Sequence, residues 1–117
     1  MKENLIQQKS YNFAIKIIEL YKYLIETKKE FVLSKQLLRS GTSIGANVEE
    51  AIGGQSRKDF ISKLSIAYKE TRETKYWLSL LRDTGYLTQE KLSPIFDHCE
   101  EIGRIIGKIQ KTTKDNS

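Results

Sequence analysis

A chain of 117 residues and 13.6 kDa fits one compact domain spanning residues 1–117 and leaves no room for a second core of ordinary size. At this length roughly two-thirds of the unfolded surface can be buried without a disulfide or a metal. One cysteine (Cys99) and one histidine (His98) exclude an internal disulfide and a structural zinc site of ordinary Cys/His make-up, so the cytoplasm is the expected compartment. Seven glycines and one proline argue against a hairpin-rich all-β fold, and 20 Lys and Arg against 15 Asp and Glu give +5, a balance that suits a polyanionic partner without requiring one.

The N-terminus, Met1-Lys2-Glu3-Asn4, leads into Gln7, Gln8 and Lys9 where a signal peptide would carry its apolar run. Apolar runs stop at about three residues, as in Phe13-Ala14-Ile15, against the ~18 that a spanning helix needs, so no membrane partner is expected. The chain divides instead into four amphipathic helices. The first is predicted from about Glu3 to Thr27, where Ile6, Phe13, Ala14, Ile17, Ile18, Leu20, Tyr21, Leu24 and Ile25 fill an arc of roughly 160° at the helical repeat. An arc that wide implies contact with two neighbours. The charged cluster Lys28-Lys29-Glu30 marks the first turn.

The second helix is predicted from about Val32 to Ile52, with Gly53-Gly54 as its stop. Its centre, from Arg39 to Asn47, is poor in helix formers, and Gly41 and Gly45 cost about 1 kcal/mol each relative to alanine. Small residues four apart let another backbone approach, which predicts a tight helix crossing at Gly41 and Gly45; a kink or a break into two short helices is the competing reading. The third helix opens on a capping box, Ser56-Arg57-Lys58-Asp59, and runs to about Thr84 before Gly85. Phe60, Leu64, Ala67, Thr71, Thr74, Leu78 and Leu81 form its core face, and Ile66, Trp77 and Leu80 form an apolar shoulder beside it. The fourth opens near Thr88. Leu92, Ile95, Cys99, Ile102, Ile106 and Ile109 recur at alternating spacings of three and four, the seam of a bundle helix, with Pro94 in its first turns. The polar end is expected to fray over about 112–117. Short connections between helices of this length predict an all-α, antiparallel up-down-up-down four-helix bundle.

The run from Gln36 to Ala51, QLLRSGTSIGANVEEA, resembles the signature of the four helix bundle protein family encoded in intervening sequences of bacterial 23S ribosomal RNA genes. Asp59-Phe60-Ile61, Lys63-Leu64, Ile66-Ala67, Lys69-Glu70, Glu73-Thr74 and Tyr76-Trp77-Leu78 are similar to that family's second motif, and Ser10-Tyr11 with Phe13-Ala14 to its opening. The resemblance covers nearly the whole chain. It implies a four-helix bundle that assembles as a homopentamer. It also implies kinship with the accessory protein of diversity-generating retroelements, a basic pentameric barrel that binds nucleic acid and partners a reverse transcriptase. No catalytic residue and no cofactor come with it.

The residues offer little to catalysis. A di-metal carboxylate site in a bundle needs a Glu-x-x-His on each of two helices, and Ile95 stands three residues before the single His98, so no metal is expected. Glu49, Glu50, Glu70 and Glu73 can gather carboxylates, but pairing with Lys and Arg on neighbouring helices or subunits is the simpler reading. Cys99 and His98 are adjacent, about 100° apart on a helix, and Cys99 lies on the apolar seam, where a small buried hydrophobe is expected. Gly41-Thr42-Ser43 lacks the spacing of a phosphate-binding loop and the strand before it.

The cations are sorted by side. Lys2, Lys9 and Lys16 repeat at seven with Tyr23 next in line; Lys58, Lys69 and Arg72 share a face of the third helix with Tyr76, with Tyr68 at its edge; Arg104, Lys108 and Lys111 follow near the end of the fourth. Cations interleaved with aromatic rings are how sequence-tolerant single-strand binding is built, while an ordinary solvated helix face is the competing reading. Two functions stay open. One is a nucleic-acid-binding accessory protein using Lys9, Lys16, Lys58, Lys69, Arg72 and Tyr76 on RNA or DNA. The other is a structural oligomer that docks a protein partner. In either case Ile15, Tyr23, Ile66, Trp77 and Leu80 are the expected contacts between subunits.

Overall fold

Four helices form where the apolar periodicity predicts them, α1 (Lys2–Glu26), α2 (Leu33–Ile52), α3 (Arg57–Asp83) and α4 (Gln89–Asp115). They come from a computed structural model that describes residues 2–115, with side chains from Leu5 to Asp115. Each helix packs on two others in a closed cycle, α1 on α2, α2 on α3, α3 on α4 and α4 on α1, and among the described residues the backbones of the diagonal pairs do not come within 8 Å (Cα to Cα). The result is an antiparallel up-down-up-down bundle of 47 × 21 × 19 Å. Phe13, Ile17, Leu37, Ile44, Leu64, Leu78, Ile102 and Ile106 are among the fully buried side chains along its axis. The buried arc of α1 is narrower than the sequence suggests. Ile18 remains 39% exposed, on the side of α1 turned away from the bundle.

The crossing at Gly41 and Gly45 is a contact of α2 with α1, and α2 runs through it unbroken. A Cβ on Gly41 would stand 2.7 Å from Ile17 Cγ1, and one on Gly45 would stand 3.3 Å from the backbone oxygen of Ser10. On its other side α2 meets α3 through hydroxyls. Thr74 Oγ1 lies 3.0 Å from Ser40 Oγ and donates to the Glu70 carbonyl at 2.7 Å, and among the described residues no buried side-chain nitrogen or oxygen lacks a partner.

The first turn falls at Lys28-Lys29-Glu30 as expected, and Glu30 does more there than turn the chain. It is 8% exposed, and its carboxylate accepts the N–H groups of Val32 (3.2 Å), Leu33 (3.0 Å) and Ser34 (2.7 Å). Val32, at the cap position, has no side chain able to do this, so Glu30 reaches forward and satisfies the orphan donors itself. Burial pushes its carboxyl pKa up, and these backbone donors outweigh that and leave it lowered. Lys29, with φ of 55°, turns the chain to make this possible. Elsewhere the expected signals work. The Ser56 hydroxyl accepts from the Asp59 N–H at 3.0 Å, Gly85 closes α3 with φ of 88°, and the Thr88 hydroxyl accepts from Lys91 at α4. Past residue 112, where fraying is expected, α4 continues to Asp115, with the Thr113 hydroxyl donating to the Ile109 carbonyl at 2.8 Å; residues 116–117 lie outside the described ones.

Candidate nucleic-acid interface

Antiparallel packing sets the register of α3 against α4. Gln110 Nε2 donates to Ser65 Oγ at 2.8 Å, Gly107 lies beside Tyr68, and Cys99 Sγ donates to the Thr71 carbonyl at 3.4 Å. The basic second half of α4 therefore runs beside the basic first half of α3. Lys58, Lys69 and Arg72 from α3 and Arg104, Lys108 and Lys111 from α4 are all exposed, and among the described residues none of these six makes an ion pair. Tyr76, 57% exposed, stands on the same ridge with its ring edge-on to Trp77 at 5.0 Å.

The acids of α3 lie on the other edge, toward α2. Arg39 donates to Glu70 at 3.1 Å and to Glu73, which also accepts from Trp77 Nε1 at 3.1 Å; Lys63 pairs with Glu50 at 3.0 Å. Glu49 accepts from Gln7 Nε2 at 2.6 Å. Glu70 and Glu73 thus share Arg39, Glu49 and Glu50 each have a partner of their own, and the cationic face of α3 is left with few carboxylates nearby.

Lys9 and Lys16 do not join that face. They line the α1–α4 seam, where Lys9 pairs with Glu101 at 3.2 Å and Lys16 Nζ lies 3.4 Å from His98 Nδ1. Glu19 and Glu101 line the same cleft, so its charges balance, whereas the α3–α4 face has an excess of cations. The next residue in that stripe, Tyr23, packs on the core with Lys91 Nζ 4.5 Å above its ring, and the Lys2 side chain lies outside the described residues. Of the expected subunit contacts, Ile15 (43%) and Ile66 (40%) are exposed, Leu80 is half-buried, and Tyr23 and Trp77 are half-buried against the core.

His98 and Cys99 point to different helices. The imidazole meets Phe13 edge-to-face at 5.4 Å, and burial, then the Lys16 charge, lower its pKa against the pull of Glu101. Burial pushes the Cys99 thiol up to about 12, which keeps it a thiol at neutral pH. No group of three or more His, Cys, Asp or Glu side chains is arranged to hold a metal among the described residues, and no helix there is long and apolar enough to cross a membrane.

Comparison with known proteins places the chain. The family model described as 23S rRNA-intervening sequence protein matches residues 2–108. The chain belongs to the 23S rRNA-intervening sequence protein family. Among solved structures, a protein of unknown function from the S23 ribosomal protein family of Bacteroides thetaiotaomicron VPI-5482 is 53% identical, superposes with a TM-score of 0.94, and is covered over 95% of this chain and 99% of its own. No curated protein matches. Membership of the 23S rRNA-intervening sequence protein family agrees with the motif at Gln36–Ala51 and with the bundle, and it brings no enzymatic description with it. Gly103 and Gly107, which open the surface between Arg72 and Arg104, escaped the sequence reading; their four-residue spacing is the same signal that marks Gly41 and Gly45.

Proposed function

We propose that this 23S rRNA-intervening sequence protein is a non-enzymatic, cytoplasmic homo-oligomer that binds RNA or DNA through the α3–α4 face in an accessory role. The observation that carries this reading is the ion-pair pattern. Lys58, Lys69 and Arg72 of α3 and Arg104, Lys108 and Lys111 of α4 are exposed on adjoining helices, Arg72 and Arg104 line one recess, and among the described residues none of the six makes an ion pair. Such cations bind phosphates with release of counterions, and Tyr76 adds a ring on which a base can stack. Lys9 and Lys16, already engaged across the α1–α4 seam, contribute less. Assembly rests on Tyr11, Ile15 and Ile18 of α1 and Ile66 of α3, exposed on diagonally opposite helices. That placement suits a head-to-tail contact that closes a ring, and the family resemblance suggests five subunits.

The test is fluorescence anisotropy with labelled single-stranded RNA and DNA at two salt concentrations. Binding that weakens steeply with salt, and that Lys69→Glu with Arg72→Glu abolishes without changing the oligomer, is the expected result. A second reading, a structural oligomer that docks a protein partner, is favoured by the apolar side of α1, where Tyr11 is 68% exposed. It replaces the first if the parent protein binds no nucleic acid even at low salt.

A further inference from the structure

Between α3 and α4 lies a recess of about 200 Å³ whose floor is Gly103 and Gly107. The two glycines have different reasons to be there. A Cβ on Gly103 would come within 3.3 Å of Thr71 Oγ1, so the packing of α3 restricts that position. A Cβ on Gly107 would meet nothing closer than Tyr68 Cε1 at 4.0 Å, an ordinary contact. Alanine would fit and would favour the helix by about 1 kcal/mol. The glycine keeps open a space that folding does not require.

The walls of that space are cationic. Arg72 and Lys75 rise from α3 and Arg104 from α4, against the single carboxylate of Glu100. Glu100 is paired with Lys75 at 3.8 Å, and Lys75 Nζ also sits over the Phe96 ring at 6.0 Å. Arg72 and Arg104 have no acidic partner among the described residues, so the recess carries two uncompensated guanidinium groups. Tyr68 borders it, 37% exposed. Of the other clefts, one on the α1–α4 side sets Lys16 and Lys91 against Glu19, but Lys91 Nζ is held over the Tyr23 ring at 4.5 Å and no arginine lines it. Two more are balanced or acidic: a second between α1 and α4 sets Lys9 and Lys16 against Glu19 and Glu101, and that between α1 and α2 holds Glu49 and no cation.

We propose that this recess seats a backbone phosphate of single-stranded RNA or DNA, with Arg72 and Arg104 donating to its free oxygens and Tyr68 stacking on the adjoining base. This rests on the nucleic-acid reading above and assigns its central contact. Guanidinium forks match phosphate oxygens in geometry as well as charge. A volume below the ~300–1,000 Å³ of pockets that enclose a whole small molecule suits one phosphate group better than a nucleotide. A recess beside a tyrosine also selects for strand state, because a base can reach the ring only when it is unstacked from a duplex.

The deciding variant is Gly107→Leu, which fills the recess and leaves every charge in place. Anisotropy with a labelled single strand and its matching duplex should show the parent favouring the single strand, and Gly107→Leu should weaken single-strand binding at least about tenfold with an unchanged helical spectrum. Arg104→Gln, an exposed substitution, should give a similar loss and stands in if Gly107→Leu does not fold. The recess is overturned, with the nucleic-acid reading intact, if Lys69→Glu with Arg72→Glu abolishes binding while Gly107→Leu, or Arg104→Gln in its place, binds like the parent. Equal affinity for single strand and duplex also overturns it. Absence of any binding by the parent at low salt overturns the underlying reading instead.

Discussion

Glu30 accepts three backbone N–H groups with one carboxylate, and the first turn of α2 depends on it. Its loss is therefore the loss of a cap. Glu30→Ala is expected to cost about 1–2 kcal/mol in urea unfolding at pH 7. Because the folded-state carboxyl is held below its ordinary value, the stability it contributes is complete above that ordinary value and disappears as pH falls through the lowered one. The gap between variant and parent should accordingly close in acid. His98 titrates in a higher window. Its pKa is lowered by burial and by Lys16, so folding favours the neutral ring. Stability is whole above the ordinary imidazole value of ~6.5 and declines as pH falls through it toward the lowered one. His98→Gln should remove that part of the pH dependence, read from unfolding midpoints between about pH 5 and 7. Neither role was legible in the sequence. Glu30 stands two residues ahead of the cap position in a charged cluster, where a local reading sees only a turn. The neighbours of His98, Phe13 and Lys16, come from the opposite end of the chain.

At the scale of the element, what was legible is what periodicity and punctuation encode. The helix-poor centre of α2 announced a crossing because Gly41 and Gly45 lie four apart in a stretch with no other reason to be helical. The sequence could not say that the partner is α1, since that depends on Ile17 and Ser10 arriving from another helix. The same spacing at Gly103 and Gly107 went unread because α4 around it is a regular apolar seam. These positions make opposite predictions. At Gly45, Leu must displace the Ser10 backbone 3.3 Å away, and overpacking of about 1–3 kcal/mol exceeds the helix-propensity gain of under ~1. At Gly107 an alanine makes only an ordinary contact with Tyr68 at 4.0 Å, so the propensity gain is realised. Thermal melts should show Gly45→Leu lowered and Gly107→Ala raised relative to the parent. A Gly45→Leu variant as stable as the parent would mean that the α1–α2 crossing is looser than it stands here.

At the scale of the whole molecule, the bundle topology decides which surface residues can act together. Sorting charge by helix face gives three basic patches without saying which adjoin; α1 and α3 are diagonal, so Lys9 and Lys16 lie on a seam with its own acids while Arg72 lies beside Arg104. Which helix neighbours which is a property of the tertiary cycle, and no single helical wheel contains it. The same diagonal bears on assembly. In the proposed ring, the apolar side of α1 in one copy covers the shoulder of α3 in the next, and each α3–α4 face recurs around the symmetry axis. Repetition then multiplies weak phosphate contacts, since a strand held at one subunit meets the next at high effective concentration. Light scattering on a sizing column should return several times 13.6 kDa, and a monomer at micromolar concentration would defeat the ring. Ile15→Glu with Ile66→Glu places charges on both exposed patches and leaves the core and the basic face untouched. It should yield a folded monomer whose affinity for a long single strand falls by about 10²-fold or more, while affinity for an oligonucleotide too short to span two subunits stays near that of the parent. Loss of both affinities to the same degree would mean that the subunit interface itself forms the nucleic-acid site.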